Sequence, residues 1–245
     1  SQAGCAMACD FCATGQAGFG RDLTAQEIVA QFDCASDAQA ADPVGLEAPL
    51  TNIVFMGMGE PFANYDEVSA AISTLRDDRG FQSRIITVST IGIADRIVDF
   101  GARFPHVRLA VSLHAADDVT RARLVPIARR YPLRELLAAC REYAALTRKK
   151  VFFEYVMIAG VNDRPVDARN LSLLVRGLSS TINLIPLHPG GRSLLRASTR
   201  ADIDQFRATL MEDHDGHATY RQSRGQDIEA ACGQLAAANR IGDSP

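Results

Sequence analysis

The sequence lacks a long hydrophobic run and an N-terminal targeting signal. No apolar stretch among its 245 residues reaches the roughly 18 residues that a membrane span requires. The N-terminus has neither the basic patch nor the hydrophobic stretch of a secretory signal. Its six cysteines are spaced too unevenly for the disulfide framework of a secreted protein. We therefore expect a protein of the reducing cytoplasm with no membrane partner.

The chain also has little net charge and very little lysine. Its formal net charge is −3, and Lys149 and Lys150 are its only lysines. Such a chain is not expected to coat nucleic acid by bulk electrostatics, although a local basic face stays open. Arginine suits forked contacts to phosphate, which is one explanation for the abundance of arginine over lysine. The many alanines favour another explanation, the codon usage of a GC-rich genome.

No initiating methionine precedes Ser1, and the chain opens almost within a cysteine motif. We therefore expect a fragment that lacks an upstream segment. With 47% hydrophobic and 22% charged residues the composition is globular, and this length suits one large α/β domain. The sequence shows no repeat or linker, so we expect a single domain over 1–245.

Short β-branched runs alternate with segments of helical periodicity. Strands are predicted at "TNIVFMG" (from 51), "RIITVSTIG" (84), "VRLAVSLHA" (107), "KKVFFEYVMIAG" (149), "TINLIPLH" (181) and "HATYRQSRG" (217). Helices are predicted over 23–35, 66–75, 133–147, 166–178 and 199–211, with a surface loop over 36–50. This order indicates right-handed βαβ units and a mainly parallel sheet, either doubly wound or a full or partial barrel.

Several predicted strands end in glycine or polar groups, as in "GMGEP", "STIG", "SLHA" and "LHPGG". In parallel α/β folds the carboxyl ends of the strands carry the chemistry. The sequence therefore predicts one functional mouth at these ends.

Three cysteines, Cys5, Cys9 and Cys12, lie within eight residues with the spacing C-x3-C-x2-C. Glycines on both sides permit tight turns, so the loop can direct three thiolates at one centre. A structural zinc site needs four ligands, and the next cysteine, Cys34, lies on a predicted helix without a paired partner. The spacing favours a four-iron cluster held by three thiolates, with zinc or unrelated thiols as the alternatives.

The cysteine motif resembles that of the radical S-adenosylmethionine (SAM) family, and Phe11 stands where that family commonly has an aromatic residue. The segments "GCAMACDFCATGQAGFGRDL", "FMGMGEP", "TVSTIG", "LAVSLHA", "NLIPLHP" and "RGQDIEAACGQL" together resemble the RlmN/Cfr group of radical SAM RNA methyltransferases. "GFGRDL" favours the RlmN branch. The resemblance implies a radical SAM partial (βα)6 barrel with its first strand largely missing, and the cofactors [4Fe-4S] cluster and SAM.

The same resemblance implies that Cys5, Cys9 and Cys12 hold the cluster, whose fourth iron binds SAM. From the residues alone, Glu60 at a strand end suits an ammonium group. The family places a set of strand-end residues in the SAM pocket: Gly59, Glu60, Ser89, Ser112, Leu113 and His114. The next strand end departs from the family pattern, because His188 stands where an asparagine is usual.

Cys232, in a C-terminal loop at about 222–236, is an isolated cysteine that would ordinarily be a small buried residue. The resemblance instead makes it the carrier of a methyl group taken from one SAM. A second SAM then yields the radical that activates this methyl group. Carbon 2 of adenine is electron-poor and cannot attack a sulfonium, but a carbon radical can add to it. The resemblance places strand one, a further cysteine, a base and an N-terminal RNA-binding domain upstream of Ser1, so we expect the fragment alone to be incomplete.

The substrates implied are 23S ribosomal RNA in the peptidyl-transferase region and transfer RNA at the purine beside the anticodon, each offering an unpaired adenosine. The resemblance also implies a one-electron donor such as flavodoxin or ferredoxin, and we expect a monomer. Three basic groups are candidates for phosphate contacts: Arg121, Arg123, Arg129 and Arg130; Arg148 to Lys150; and Arg221 with Arg224. A solvated charged face explains the first two groups equally well, whereas RNA contact is favoured for Arg221 and Arg224, which lead to Cys232.

Two other functions stay open: a carbon-8, Cfr-like methyltransferase or another radical SAM enzyme, and an iron–sulfur electron-transfer or structural metal module. Anaerobic reconstitution separates the enzyme from the module. We expect a brown protein whose cluster spectrum changes when SAM is added. Bound zinc at the N-terminal thiols, or a cluster indifferent to SAM, would contradict the enzyme interpretation.

Overall fold

The computed structural model describes residues 1–41, 50–82, 85–188, 193–213, 216–221 and 234–235. Two short antiparallel strands, β1 (Gln2–Gly4) and β2 (Phe19–Asp22), form an N-terminal ribbon. All six predicted strands are present and form one parallel sheet, which confirms the α/β class. They are β3 (Ile53–Phe55), β4 (Ile86–Thr90), β5 (Arg108–Ser112), β6 (Val151–Met157), β7 (Ser180–Pro186) and β8 (His217–Tyr220).

The connections are largely helical. The helices are α1 (Ala13–Ala17), α2 (Ala25–Ala41), α3 (Tyr65–Asp77), α4 (Ala94–Arg103), α5 (Asp118–Leu124), α6 (Leu133–Thr147), α7 (Pro165–Val175) and α8 (Arg200–Asp213). All five predicted helices are present, whereas α1, α4 and α5 were not predicted. The predicted loop over 36–50 is wrong at its start, because α2 continues to Ala41; residues 42–49 lie outside the described residues.

The order of the strands distinguishes a barrel from a doubly wound sheet. Neighbours in the sheet are neighbours along the chain, from β3 to β8. Every right-handed crossover therefore advances in the same direction and leaves its helix on the same face. In the described part of the chain β3 pairs only with β4, and a first barrel strand upstream of Ser1 stays a prediction.

The two faces of the sheet differ in polarity. Side chains such as Val88, Val111 and Phe153 are buried against the helices in one hydrophobic core. The alternate positions point to the other face, where Ser112, Glu154, Asn183 and Thr219 stand side by side in register on four neighbouring strands. This row forms a polar inner surface on the helix-free face, next to a second apolar cluster in which Val156 and Ile185 of the same face pack with Cys9 and Phe11.

Arg221 shows how strongly the sheet curves. It follows the last strand, yet its Nη1 lies 3.7 Å from Sδ of Met56, which follows the first strand of the sheet, and 3.4 Å from Oε2 of Glu154. In a flat sheet β3 and β8 would stand roughly 24 Å apart, since neighbouring strands are about 4.8 Å apart. The sheet is therefore a partial barrel, and the polar inner surface lies on its concave side. No helix in the described ranges combines the length and the apolar character needed to cross a membrane.

The helix-facing core predicts the effect of truncating a central ring. Phe100 on α4 is 1% exposed, and its ring centroid lies 5.2 Å from that of Phe62 and 5.6 Å from that of Phe104. We expect Phe100→Ala to lower the free energy of unfolding by about 3–5 kcal/mol. Leu173→Ala, at a side chain 55% exposed on α7, is the matched control and should change it by about 0.5 kcal/mol or less. If chemical denaturation showed the same loss of unfolding free energy in both variants, this packing of the core would be contradicted.

Candidate active site

The cysteine loop runs from Cys5 to Cys12 and is closed at its base by two glycines. Gly4 has φ of +85°, and a Cβ there would stand 2.1 Å from the carbonyl oxygen of Gly18. That close approach lets the Cys5 N–H donate to Gly18 O at 2.9 Å. At the other end the Cys12 N–H donates to Cys9 O at 3.1 Å, where α1 begins. The loop thus leaves β1 and enters α1 in a defined conformation.

Burial and the charges of neighbouring groups raise the pKa of the Cys5 and Cys9 thiols. Cys9 is buried, while Cys5 and Cys12 are partly exposed. The pKa of Cys9 is raised well above its usual value, first by burial and then by the charges of Cys12, Cys5 and Glu60. Burial likewise raises the pKa of Cys5, and Cys12 and Glu60 raise it further. The three thiols and Glu60 therefore share one electrostatic environment.

This donor set fits an iron–sulfur cluster. Cations at the centre would relieve the repulsion among the thiolates, so metal binding would release their protons. Within the described ranges, no three His, Cys, Asp or Glu side chains converge tightly enough to hold a single metal ion. Three thiolates match the ligand set of a four-iron cluster with one open iron, whereas a structural zinc ion needs four protein ligands.

Two contacts dock the cysteine loop on the strand ends. The Asp10 N–H donates to Leu124 O, the last residue of α5, at 3.0 Å. The Phe11 ring meets the His114 ring edge-on, with centroids 4.7 Å apart. Thus the aromatic residue before Cys12 packs on the histidine of "SLHA", as the single mouth predicted from the sequence requires.

Glu60 is a buried carboxylate that joins two strand ends. Its Oε1 accepts from the Phe62 N–H at 2.9 Å and the Thr90 hydroxyl at 2.7 Å, and its Oε2 accepts from the Ile91 N–H at 2.7 Å. Its own N–H donates to Oε1 of Gln2 at 2.8 Å. A carboxylate offers about four acceptor positions, and these hydrogen bonds occupy three of them.

Gly59 allows this close packing. It has φ of +93°, and a Cβ there would lie 2.6 Å from Cβ of Gln2. Sequence reasoning selected Gly59 and Glu60 but missed Gln2 and Thr90, the side chains that hold them. No short-range sequence signal identifies Gln2 as a partner, because 58 positions separate it from Glu60.

His114 is neutral and fixed in one tautomer. Its Nδ1 accepts from the Val156 N–H at 3.1 Å, so the ring proton resides on Nε2. Burial, followed by the charge of Arg121, lowers its pKa to about 3. Asn162 supports the same strand ends, since its Nδ2 donates to the carbonyl oxygens of His114 and Val156 at 2.7 Å each. Asn162 was not predicted, although it lies in a "GVNDRP" turn after a strand.

The other predicted pocket residues lie at the same strand ends. Ser89 and Ser112 are partly exposed near the ends of β4 and β5. Leu113 packs its side chain into the helix-facing core, its N–H donates to Glu154 O at 3.0 Å and its carbonyl oxygen accepts from Arg121 Nε at 3.2 Å. His188 lies two residues after β7, and partial burial lowers its pKa. Cys232 and the predicted loop around it fall outside the described residues, except for 234–235.

The basic groups proposed for phosphate differ in accessibility. Arg121 is fully buried, so its assignment to a phosphate-binding face is wrong: its side chain is used inside the fold. Arg123, Arg129, Arg130 and Arg148 are exposed. Arg221 forms an ion pair with the buried Glu154, and Arg224 lies outside the described residues.

The raised pKa of Glu60 predicts that the stability of the fold depends on pH. Burial raises its pKa to about 7 from 4.5, against three hydrogen bonds that lower it. Between these values the folded protein keeps a proton that the unfolded chain has released, so stability falls as the pH rises. We expect the difference in unfolding free energy, wild type minus Glu60→Gln, to fall by about 3 kcal/mol from pH 4.5 to 7.

The variant also loses hydrogen bonds, so only the pH dependence of the difference tests this prediction. The low pKa of His114 acts in both proteins and cancels. Above pH 8 the difference should stay constant, which provides an internal control. A difference that does not change between pH 4.5 and 7 in urea titrations would contradict a buried Glu60 with a raised pKa.

Comparison with known proteins agrees with this geometry. Residues 1–171 match the Radical SAM superfamily. Over 98% of its length the chain is 48% identical to a probable dual-specificity RNA methyltransferase RlmN of Moorella thermoacetica, covering 68% of that protein. Over 97% it is 44% identical to a protein of the same name from Nostoc punctiforme, covering 63%. The chain thus spans about two thirds of the length of these curated relatives.

Solved structures give the same result. The chain superimposes on a radical SAM methyltransferase from Sphaerobacter thermophilus with a TM-score of 0.91 and 48% identity, over 96% of this chain and 68% of that one. Streptococcus suis SuiB bound to S-adenosylmethionine shares the fold at 13% identity, with a TM-score of 0.65 over 91% of this chain and 49% of that one. The chain belongs to the radical SAM superfamily and, within it, to the RlmN family of dual-specificity RNA methyltransferases.

Proposed function

We propose that this chain is the radical SAM part of an enzyme that methylates carbon 2 of an unpaired adenosine in 23S ribosomal RNA and in transfer RNA. The observation that carries the proposal is the docking of the cysteine loop on the strand ends, where Phe11 meets His114 at 4.7 Å. Identity of 48% to an RlmN protein over nearly the whole chain supports it.

Cys5, Cys9 and Cys12 would hold a [4Fe-4S] cluster and leave one iron for SAM. When bound, the cluster supplies the electron that cleaves SAM. The residues of the chain bind and orient SAM. The fourth acceptor position of the Glu60 carboxylate suits the ammonium group of SAM, and the Ser89 and Ser112 hydroxyls face the polar inner surface. His114 stays neutral, so it adds no charge beside the thiolates. His188 would complete this pocket at the end of β7.

Cys232 would carry the methyl group. A thiolate can take a methyl group from SAM by polar attack, which carbon 2 of adenine cannot do because it has no lone pair. The second SAM then serves to activate the thioether methyl group, so two SAM molecules are consumed in each turnover. Cys232 follows β8 by 12 positions in the sequence, and β8 borders the polar inner surface.

RNA would approach the same mouth from solvent. Exposed Arg129 and Arg130, close to the loops that follow β5, suit phosphate contacts. A reducing cytoplasm, a flavodoxin or ferredoxin as electron donor, and a monomeric state complete the proposal. The methylated adenosine must leave its stack, which favours loops and bulges of folded RNA.

Methylation in cells tests the assignment of Cys232 and of the target carbon. Cells that lack their own enzyme receive the full-length gene, and mass spectrometry of their ribosomal and transfer RNA should detect 2-methyladenosine. Cys232→Ala should abolish the modification and leave the cluster absorption unchanged, because Cys232 is not a cluster ligand. Cys34→Ala, at an exposed cysteine on α2, should retain both.

Two outcomes would overturn parts of the proposal. Detection of 8-methyladenosine would replace carbon 2 by carbon 8 as the target. Retained modification in Cys232→Ala would remove this residue as the methyl carrier. Loss of the cluster in the same variant would show that the cysteine acts on the metal site instead.

A further inference from the structure

Arg121 is a buried arginine without an ion-pair partner. It lies on α5, is 0% exposed, and takes part in none of the ion pairs found among the described residues. Burial lowers its pKa to about 10, so it carries a positive charge at neutral pH. Burying an unpaired charge costs several kcal/mol, so a charged arginine at this buried position calls for a physical explanation.

Three backbone carbonyl oxygens hold the guanidinium. Arg121 Nη2 donates to Ile91 O at 2.7 Å, Nε to Leu113 O at 3.2 Å and Nη1 to Tyr131 O at 3.2 Å. Ile91 follows β4 and Leu113 follows β5, the strand ends that carry the predicted SAM residues. The guanidinium therefore links both strand ends with a single planar group.

Gly92 leaves the space that the guanidinium occupies. A Cβ on Gly92 would stand 2.9 Å from Nη2 of Arg121 and 3.0 Å from a methyl carbon of Leu136. The φ of +108° at Gly92 is also one that L side chains rarely adopt. The "STIG" segment thus ends in the one residue type that admits Arg121.

The charge is adjacent to the cysteine loop. Cys9 packs in the same buried cluster as Ile91 and Leu124, and the loop is hydrogen-bonded to α5 through Asp10 and Leu124. Among the groups that raise the pKa of Arg121, Asp118 comes first and Cys9 second. Asp118 is exposed and its carboxylate accepts the Leu133 N–H.

A third group near Arg121, Cys140, is no counter-charge. Burial raises the pKa of its thiol to about 12, so it is neutral at neutral pH. The buried anion available to Arg121 is therefore the thiolate of Cys9 once it binds metal. A cluster held by three thiolates is negative overall, and reduction makes it more negative.

We propose that Arg121 is a positioning residue whose buried positive charge favours the reduced state of the cluster bound by Cys5, Cys9 and Cys12 and so raises its reduction potential. This inference depends on the proposed function through cluster binding. Reduction adds one electron from the reductant and forms or breaks no bond. Because the reduced cluster has the larger negative charge, a nearby cation stabilises it more than the oxidised cluster.

Redox titration of the anaerobically reconstituted protein, followed by EPR with dithionite as reductant and without SAM, tests the proposal. Arg121→Met keeps the approximate length and removes the charge. At a fixed ambient potential, we expect the ratio of reduced to oxidised cluster to fall about tenfold, which is ~59 mV for one electron. Arg121→Lys keeps the charge and should stay within about twofold of wild type, even if it melts at a lower temperature.

Arg123→Met is the matched control, because Arg123 is exposed on the same helix, and it should behave as wild type. If Arg121→Met does not fold, Arg121→Gln provides the neutral member of the comparison with Arg121→Lys. Equal potentials in the neutral and charged variants would overturn the proposal. A wild-type protein that binds no cluster would instead remove the proposed function, and this inference with it.

Discussion

The side chains of Gln2 and Glu60 connect the cysteine-bearing ribbon to the sheet. Gln2 precedes the cysteine loop, and its Oε1 accepts the Glu60 N–H, while the Glu60 carboxylate accepts from Thr90 and Ile91 at the end of the next strand. Both side chains are buried, where a lost hydrogen bond is costly. The position of the thiols relative to the strand ends therefore depends on this buried pair of polar residues.

The site contains many buried polar groups, and their burial is tolerated because they are hydrogen-bonded to one another and to the backbone. Asn162 fixes the strand ends at His114 and Val156, and Arg121 fixes those at Ile91 and Leu113. Such networks are rigid when every member is satisfied. They hold these strand ends together, so that ligand binding would not have to order them first.

The inner surface differs from that of an ordinary parallel sheet, in which both faces are apolar. Here Glu154 accepts from Asn183, which in turn accepts from the Thr219 hydroxyl. Arg221 then bridges this row to Met56 across the open side of the barrel. One face of the sheet thus supplies the core, and the other is free to surround a polar ligand.

The sequence by itself determined the alternation of strands and helices, the cysteine motif and the strand ends that form the mouth. These features depend on local periodicity and on residue spacing, which a single chain displays directly. It also selected Glu60 from its place at the carboxyl end of a strand, and the family resemblance of its motifs added His114. It did not reveal α4, although the buried Ala94, Ile97 and Phe100 of that helix have helical spacing.

Only the tertiary structure decided which polar residues support that mouth. Gln2, Asn162 and Arg121 act through partners that are distant in sequence or through backbone carbonyls, and neither kind of partner leaves a pattern in the chain. Arg121 illustrates the point: beside three other arginines it resembled a solvated basic patch, yet the fold buries it under two strand ends. Burial is a property of the packed chain, and it alone converted that arginine from a surface charge into a charge beside the thiols.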